Sequence, residues 1–348
     1  MATLNVTNSP YDAAGDGTTD DTNAIQSAID DAQAGDTVYL PENTYLVHTT
    51  LTGGRGALEI LGDTHPDDLT ITGDGENTVL KLDVNAIDQA SNVYTMRIVP
   101  ESAGISGLEV SNMTFEGDRT NYTGSQDCYG LEVSDRGSTA SVDDVDVLIE
   151  DVKFQSFFST ALYFRYGNCV GNRLTAIDNG SHGLNVSAND HPSQPAKFTN
   201  CYTANNGQED VGRYGYDISG GWGIVEDSVT ENDQQGTKVT SEVTQAEFRR
   251  FRVAGTREDA GLQRPLATGG ADVYVGHPVL EDCEAMGVRA AGPDNWIIED
   301  GATVLCYGNG ASSQTDFIFD DGATLDGANA TIYNVDFTGS NALSWQSS

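Results

Sequence analysis

Gly183-Leu184-Asn185-Val186, Gly215-Tyr216-Asp217-Ile218 and Gly236-Thr237-Lys238-Val239 repeat one short phrase: a small residue, then largely apolar, variable and apolar residues in turn. The phrase also stands at Gly130-Leu131-Glu132-Val133, Ala161-Leu162-Tyr163-Phe164 and Gly270-Ala271-Asp272-Val273. Weaker copies are Asn295-Trp296-Ile297-Ile298 and Asp316-Phe317-Ile318-Phe319. Successive copies lie 31, 22, 32, 21, 34, 25 and 21 residues apart, which is one basic period with occasional insertions. A second phrase puts Asp or Asn at a tight bend: Glu150-Asp151-Val152, Gly171-Asn172-Arg173, Thr199-Asn200-Cys201, Glu226-Asp227-Ser228 and Glu281-Asp282-Cys283. These side chains tolerate left-handed backbone and bond to their own main chain. Short strands at this period, with turns between them and no leucine-rich pattern, describe a solenoid. The expected fold is all-β: a right-handed parallel β-helix of about eight to ten coils, stacked about 4.8 Å apart.

Upstream of the coils lies the one strong helical signal. Ala24, Ile25, Ala28, Ile29 and Ala32 form a single apolar stripe, Thr19-Asp20-Asp21-Thr22 offers several N-caps, and Gly35 ends the run. The spacing predicts an amphipathic helix over 22–34. The open end of a coil stack exposes strand edges, so this helix is expected to be its lid. The expected layout is a single domain over 1–348. It comprises an N-terminal cap and first strands over 1–50, coils over 51–335, and a C-terminal cap or partner contact over 336–348.

The chain has 348 residues, with 53 acidic and 17 basic ones, for a net charge of −36. The charge repels phosphate backbones and argues against nucleic-acid binding. No apolar run is long enough for a transmembrane helix. The acidity is spread along a chain that still holds 38% apolar residues, which fits a folded protein with a hydrated carboxylate coat rather than a disordered tail. Such a coat suits strong brine, so a halophilic archaeon or its virus is the expected source. Five cysteines without a CxxC pair argue against a zinc site or a disulfide framework. The N-terminus shows neither the basic start nor the apolar stretch of a signal peptide.

The segment Asp12-Ala13-Ala14-Gly15-Asp16-Gly17-Thr18-Thr19-Asp20-Asp21-Thr22-Asn23-Ala24-Ile25-Gln26, with Gly35-Asp36-Thr37-Val38-Tyr39-Leu40-Pro41, resembles the N-terminal cap of the pectate-lyase-like superfamily. The resemblance implies a right-handed β-helix. The superfamily includes polysaccharide lyases, polygalacturonase-type hydrolases and viral tailspikes, so the fold does not select a function. It also implies a homotrimer as the commonest assembly.

Within each phrase the polar residue points away from its two apolar neighbours. Stacking gives an outward column of Glu132, Tyr163, Asn185, Asp217, Lys238 and Asp272. A second column, two residues on, runs Arg165, Ser187, Ser219, Thr240 and Tyr274. Turns at 187–197 and 207–214 would wall this face. Cations, carboxylates, amides and flat rings on one surface suit a sugar groove, and Tyr163, Arg165, Asn185, Asp217, Lys238 and Tyr274 are the glycan-binding candidates. The plainer reading is a solvated polar face. Catalytic candidates are Lys238, Asp217, Arg165 and His182. Gly180-Ser181-His182-Gly183 is similar to a polygalacturonase strand, but the coil before it, Thr160-Ala161-Leu162-Tyr163, lacks the carboxylate pair that inverting hydrolysis needs. His182 is therefore read as a turn residue, and elimination is favoured over hydrolysis if a bond is cut at all. Asp143, Asp144 and Asp146 are the weak basis for a calcium site, and no cofactor is expected.

Two functions remain. The first is a virion surface protein, a spike, tail fibre or capsid turret, that recognises host glycan or glycoprotein and contacts other virion proteins. The alternative is a secreted, extracellular lyase or hydrolase of an acidic polysaccharide.

Overall fold

Parallel pairing at the expected period builds three stacked faces. The computed structural model describes residues 1–48, 56–84, 92–124, 126–134, 145–187, 194–209, 214–233 and Phe251. Beyond these it places the backbone of strands 235–239, 243–249, 252–256, 278–281, 284–286, 295–298, 303–305, 324–327, 331–333 and 345–346. The first face runs through Gly56–Leu61, Val93–Val99, Cys128–Val133, Leu162–Phe164, Leu184–Ser187, the start of Tyr214–Glu226, and Gln235–Val239. The second runs from Thr3–Asn5 to Trp345–Gln346. The third runs from Asp16–Asp20 to Thr331–Tyr333. The second face holds thirteen successive described strands. That exceeds the expected eight to ten coils, because the repeated phrase marks only the first face and only from residue 130 onward.

Corners between the second and third faces use left-handed backbone at Asp151, Asn200 and Asp227, as expected. In the coil between, the bend falls on Arg173 rather than Asn172, since register sets Asn172 beside Glu150. Two 2.7 Å bonds from the Arg173 guanidinium to Asp151, one coil below, anchor that corner.

The interior is a stack of like side chains. Leu58, Met96, Leu131, Leu162, Leu184 and Tyr216 lie in register, as do Ile60, Ile98, Val133, Phe164, Val186 and Ile218. All twelve belong to one buried cluster. Phe115 stacks on Phe154 on the third face, with ring centroids 5.1 Å apart. Burying such columns is the main driving force for a solenoid with few other long-range contacts.

The helix spans Thr22–Asp31, shorter than the expected 22–34, and buries Ile25, Ala28 and Ile29. Ala32 is already extended, and Gln33–Asp36 forms a turn in which Asp36 Oδ2 accepts the Gln33 N–H at 3.1 Å. Asp21 sits at the N-cap without capping. Its carboxylate instead accepts the N–H groups of Ala14 (2.6 Å) and Gly15 (3.1 Å), tying the glycine loop to the helix start. Burial raises the Asp21 pKa, and these two backbone bonds oppose the shift. Cys128, Cys169 and Cys201 are buried free thiols, and burial pushes Cys128 and Cys201 up to about 12. They are expected to be poor nucleophiles.

One column inside the rod is polar. Phe157 N–H donates to Asn179 Oδ1 at 3.0 Å, Asn179 Nδ2 donates to Asn206 Oδ1 at 2.8 Å, and Asn206 Nδ2 donates to Asp233 Oδ1 at 2.7 Å. The Asn206 N–H also reaches Asp233 Oδ1 at 2.7 Å. Thr203 donates to Oδ2 at 2.7 Å, and Thr230 donates to the same oxygen in a short contact. Asp233 is fully buried, and desolvation raises its pKa against these hydrogen bonds. Between the ordinary carboxylate range and that raised value, the native state holds a proton that the unfolded chain has released. The stability tied to that proton is present below the ordinary carboxylate range and is lost as pH rises through the raised native value. Asp233→Asn keeps the shape, lets both threonine hydroxyls turn to accept, and removes the charge. It is expected to be more stable than the parent at neutral pH by about 1 kcal/mol, with the gap closing in acid. Denaturant unfolding across pH checks this; a gap that does not change with pH removes the account.

Candidate functional site

Strand register aligns the polar column of the first face as Glu59, Arg97, Glu132, Tyr163, Asn185, Asp217 and Lys238. The structure thus brings Tyr163, Asn185 and Asp217 together and sets the Lys238 backbone on the next rung beside Asp217. It also extends the column by two coils toward the N-terminus. The second expected column breaks. Arg165 and Ser187 each follow a paired residue, Phe164 and Val186, but a slip after Val186 pairs Ser187 with Gly220, so Ser219 leaves the line. Thr240, Asp272, Tyr274, Asp143 and Asp144 lie outside the described residues. So do 188–193 and 210–213, on which the expected walls depend. Among the described residues no group of three or more acidic, histidine or cysteine side chains is arranged to hold a metal ion.

The column is not a solvated face. Glu132 is 1% exposed, Asn185 4% and Asp217 3%, although they point away from the apolar core. Polar groups so deeply buried are held by partners, and two clusters supply them.

The first cluster surrounds Asp217. Asn185 Nδ2 donates to Asp217 Oδ2 at 2.9 Å, and His182 Nε2 stands 3.2 Å from the same oxygen. His182 Nδ1 accepts the backbone N–H of Tyr214 at 3.2 Å, which fixes the neutral tautomer with its proton on Nε2, aimed at Asp217. The Tyr214 ring lies parallel to the imidazole, with centroids 5.5 Å apart. His182 is therefore more than a turn residue, because the neighbouring coil supplies both of its partners. Each of the two side chains precedes a phrase glycine, His182 before Gly183 and Tyr214 before Gly215. That position was the sequence signal for Tyr214, which the reading by phrase overlooked.

The second cluster lies toward the N-terminus. Glu132 is held between Arg97 (Nε to Oε2, 2.7 Å) and Arg165 (Nε to Oε1, 3.0 Å). Arg165 rests over the Tyr163 ring at 4.5 Å, and Arg97 over Tyr94 at 5.1 Å. Tyr94 stacks on Tyr129 at 4.9 Å, and Tyr129 on Tyr163 at 6.4 Å. Burial, aided by the Glu132 charge, pushes the Tyr94 phenol up to about 12. Arg97, Tyr94 and Tyr129 were missed because the phrase begins at residue 130.

A fixed imidazole and a buried carboxylate, with a tyrosine ring stacked on the imidazole and rings and guanidinium groups along the rod, can move a proton and hold an anionic sugar. Comparisons with known proteins narrow this. Mannuronan C5-epimerase AlgE1 of Azotobacter vinelandii is 38% identical over 120 residues, 34% of this chain and 8% of that protein. Alginate lyase 7 of the same organism is 31% identical over 214 residues, 60% of this chain and 22% of that protein. The chain thus spans less than a quarter of either relative's length. Among solved structures, the A-module of mannuronan C-5 epimerase AlgE6 from A. vinelandii has a TM-score of 0.54 at 19% identity, covering 96% of this chain and 91% of that one. The phiAB6 tailspike, solved with oligosaccharides of Acinetobacter baumannii surface polysaccharide, has a TM-score of 0.52 at 13% identity, covering 97% and 47%. These matches favour the polysaccharide-enzyme alternative over the virion reading. The family model for rhamnogalacturonase A/epimerase, pectate lyase-like, matches residues 3–236, so the chain belongs to that family of right-handed β-helix proteins.

Proposed function

We propose that the chain modifies an alginate-like polyuronate by removing the C5 proton of a hexuronate residue, and that it returns a proton to the opposite face as a C5-epimerase. The observation that carries this reading is the His182–Asp217–Tyr214 cluster at hydrogen-bonding and stacking distance. The mannuronan C5-epimerases and the alginate lyase among the relatives support it. The C5–H bond lies next to a carboxylate, so its electron pair can spread into that group once charge there is neutralised. Reprotonation from the other side inverts C5; loss of the O4 leaving group instead gives elimination. Both routes share the first step.

In this scheme His182 is the fixed element, with one nitrogen on a backbone N–H and the other turned to Asp217. The Tyr214 oxygen, as phenolate, accepts the C5 proton on one face, and a proton from solvent adds to the opposite face in its place. Asp217 and Asn185 set the field around it, and Lys238 occupies the next rung of the same column. The work is extracellular and in concentrated salt, where a net charge of −36 is screened. A virion spike would carry the same groove, but likeness to tailspikes at 13% identity concerns the fold alone.

The test is polymannuronate incubated in deuterated buffer at several salt concentrations and followed by NMR. Deuterium at C5 with new guluronate signals is the expected result. Unsaturated chain ends would select the lyase, and no exchange at C5 in any salt would end the proposal.

A further inference from the structure

We propose that Arg165, with Tyr163 and the Arg97–Glu132 pair beneath it, forms a second sugar-holding site that grips the carboxylate of a uronate two residues along the polymer from the reacting one. The inference rests on the polyuronate reading and extends it to a part of the surface with no role in proton transfer.

The exposure of Arg165 is the first argument. Glu132 is nearly inaccessible and could be neutralised by Arg97 alone. Arg97 bonds it at 2.7 Å and is locked further by Ser134, whose Oγ accepts from Arg97 Nη2 at 2.8 Å and donates to Glu132 Oε2 at 3.0 Å. Arg165 is surplus to that pair. Its side chain is 43% exposed, against 11% for Arg97. Among the described residues its Nε has no aligned hydrogen bond, although it lies 3.0 Å from Glu132. With Glu59 in register beside Arg97, the two arginines balance two glutamates, and the more accessible cation, Arg165, lies flat on a tyrosine ring in a chain of net charge −36. A guanidinium held this way offers its outer edge to a carboxylate in bidentate geometry.

The second argument is shape. Tyr94, Tyr129 and Tyr163 lie nearly parallel, tilted 14° and 10° from one ring to the next, and form a strip along the rod axis. Tyr94 and Tyr129 cover one another's faces and Arg165 covers one face of Tyr163, so the strip braces the cation beside a bound uronate rather than offering it open ring faces. The third argument is spacing. Register places Tyr163 two coils from Asp217, or about 10 Å at the usual strand separation. Diequatorially linked uronates advance along their chain by a distance comparable to one coil. A polymer parallel to the rod therefore puts one sugar at Asp217 and the second sugar along at Arg165. Dimers cannot span both positions; longer oligomers can.

Calorimetric titration of the full chain in molar salt, with mannuronate dimers and octamers as probes, tests this. Arg165→Gln is expected to weaken octamer binding about tenfold, equivalent to about 1.4 kcal/mol, and to leave dimer binding unchanged. Tyr163→Leu keeps both arginines on Glu132 and is expected to weaken the octamer about threefold. It also preserves the test should the arginine variant fold poorly. Equal losses for dimer and octamer, or an octamer unaffected by both variants, overturn the site, while C5 exchange by the parent protein would leave the proposed reaction standing. A length-selective loss in a protein without C5 exchange sustains the site and removes the reaction.

Discussion

Tyr214→Phe is expected to lower the turnover of polymannuronate by about 10²–10⁴, the usual worth of a positioned proton-transfer group, with little change in KM. The substitution removes one oxygen and leaves the ring. The stack on His182, at 5.5 Å and 10°, persists, and so does the backbone N–H of residue 214 that fixes the imidazole tautomer. Binding along the tyrosine strip is untouched. Asp217→Asn is the companion variant. It can still accept from Asn185 and His182 but lacks the charge, so it separates the field around the proton from the proton carrier. Turnover and C5 deuterium exchange should fall together in Tyr214→Phe. A variant with full exchange would remove Tyr214 from the chemistry.

Gly215→Ala is expected to cost about 3–5 kcal/mol of folding stability, through overpacking together with the loss of buried hydrogen bonds. A Cβ at Gly215 would fall inside van der Waals contact with Asp233 Oδ2, Thr203 Oγ1 and Thr230 Oγ1. None of these can retreat, because the same oxygens hold the polar rung together. The phrase glycine is thus required by what lies inside the rod and not by its own backbone. Gly183 faces the same ladder one coil earlier, against Asn206 and Thr203. Denaturant unfolding of the alanine variant reads the loss. Near-parent stability would mean that the rung does not pack against this strand. Gly215 also separates Tyr214 from Tyr216 and Asp217, so the interior ladder and the His182–Asp217 cluster are set by the same stretch of strand.

Much of this was legible in the residues. The alternation within Gly215-Tyr216-Asp217-Ile218 assigned two residues to the core and one to the outside, and the step to Gly183 made Asn185 the vertical neighbour of Asp217. Local periodicity is enough for that, because in a solenoid each strand pairs with the next copy of itself. Among the described bends the phrase was equally direct, except where Arg173 displaced Asn172, since one residue of register is invisible in composition; Asp282 lies outside the described residues.

The pairing of His182 with Asp217 was not legible. It depends on a side chain at a corner, where alternation stops, reaching across a coil. The same holds for the Arg97–Glu132–Arg165 cluster, whose members come from three coils separated by insertions of unequal length. The break at Ser219 arose from a single slipped pairing after Val186. Nor could sequence show that the polar column is buried. Outward direction follows from the pleat, but exposure follows from what neighbouring coils place on top. The sequence by itself thus determined the repeat, the inward columns and the early helix, since these obey short-range rules. Only the tertiary structure decided which outward side chains meet and which are shielded from water, because distances across coils depend on register and on the length of every intervening turn.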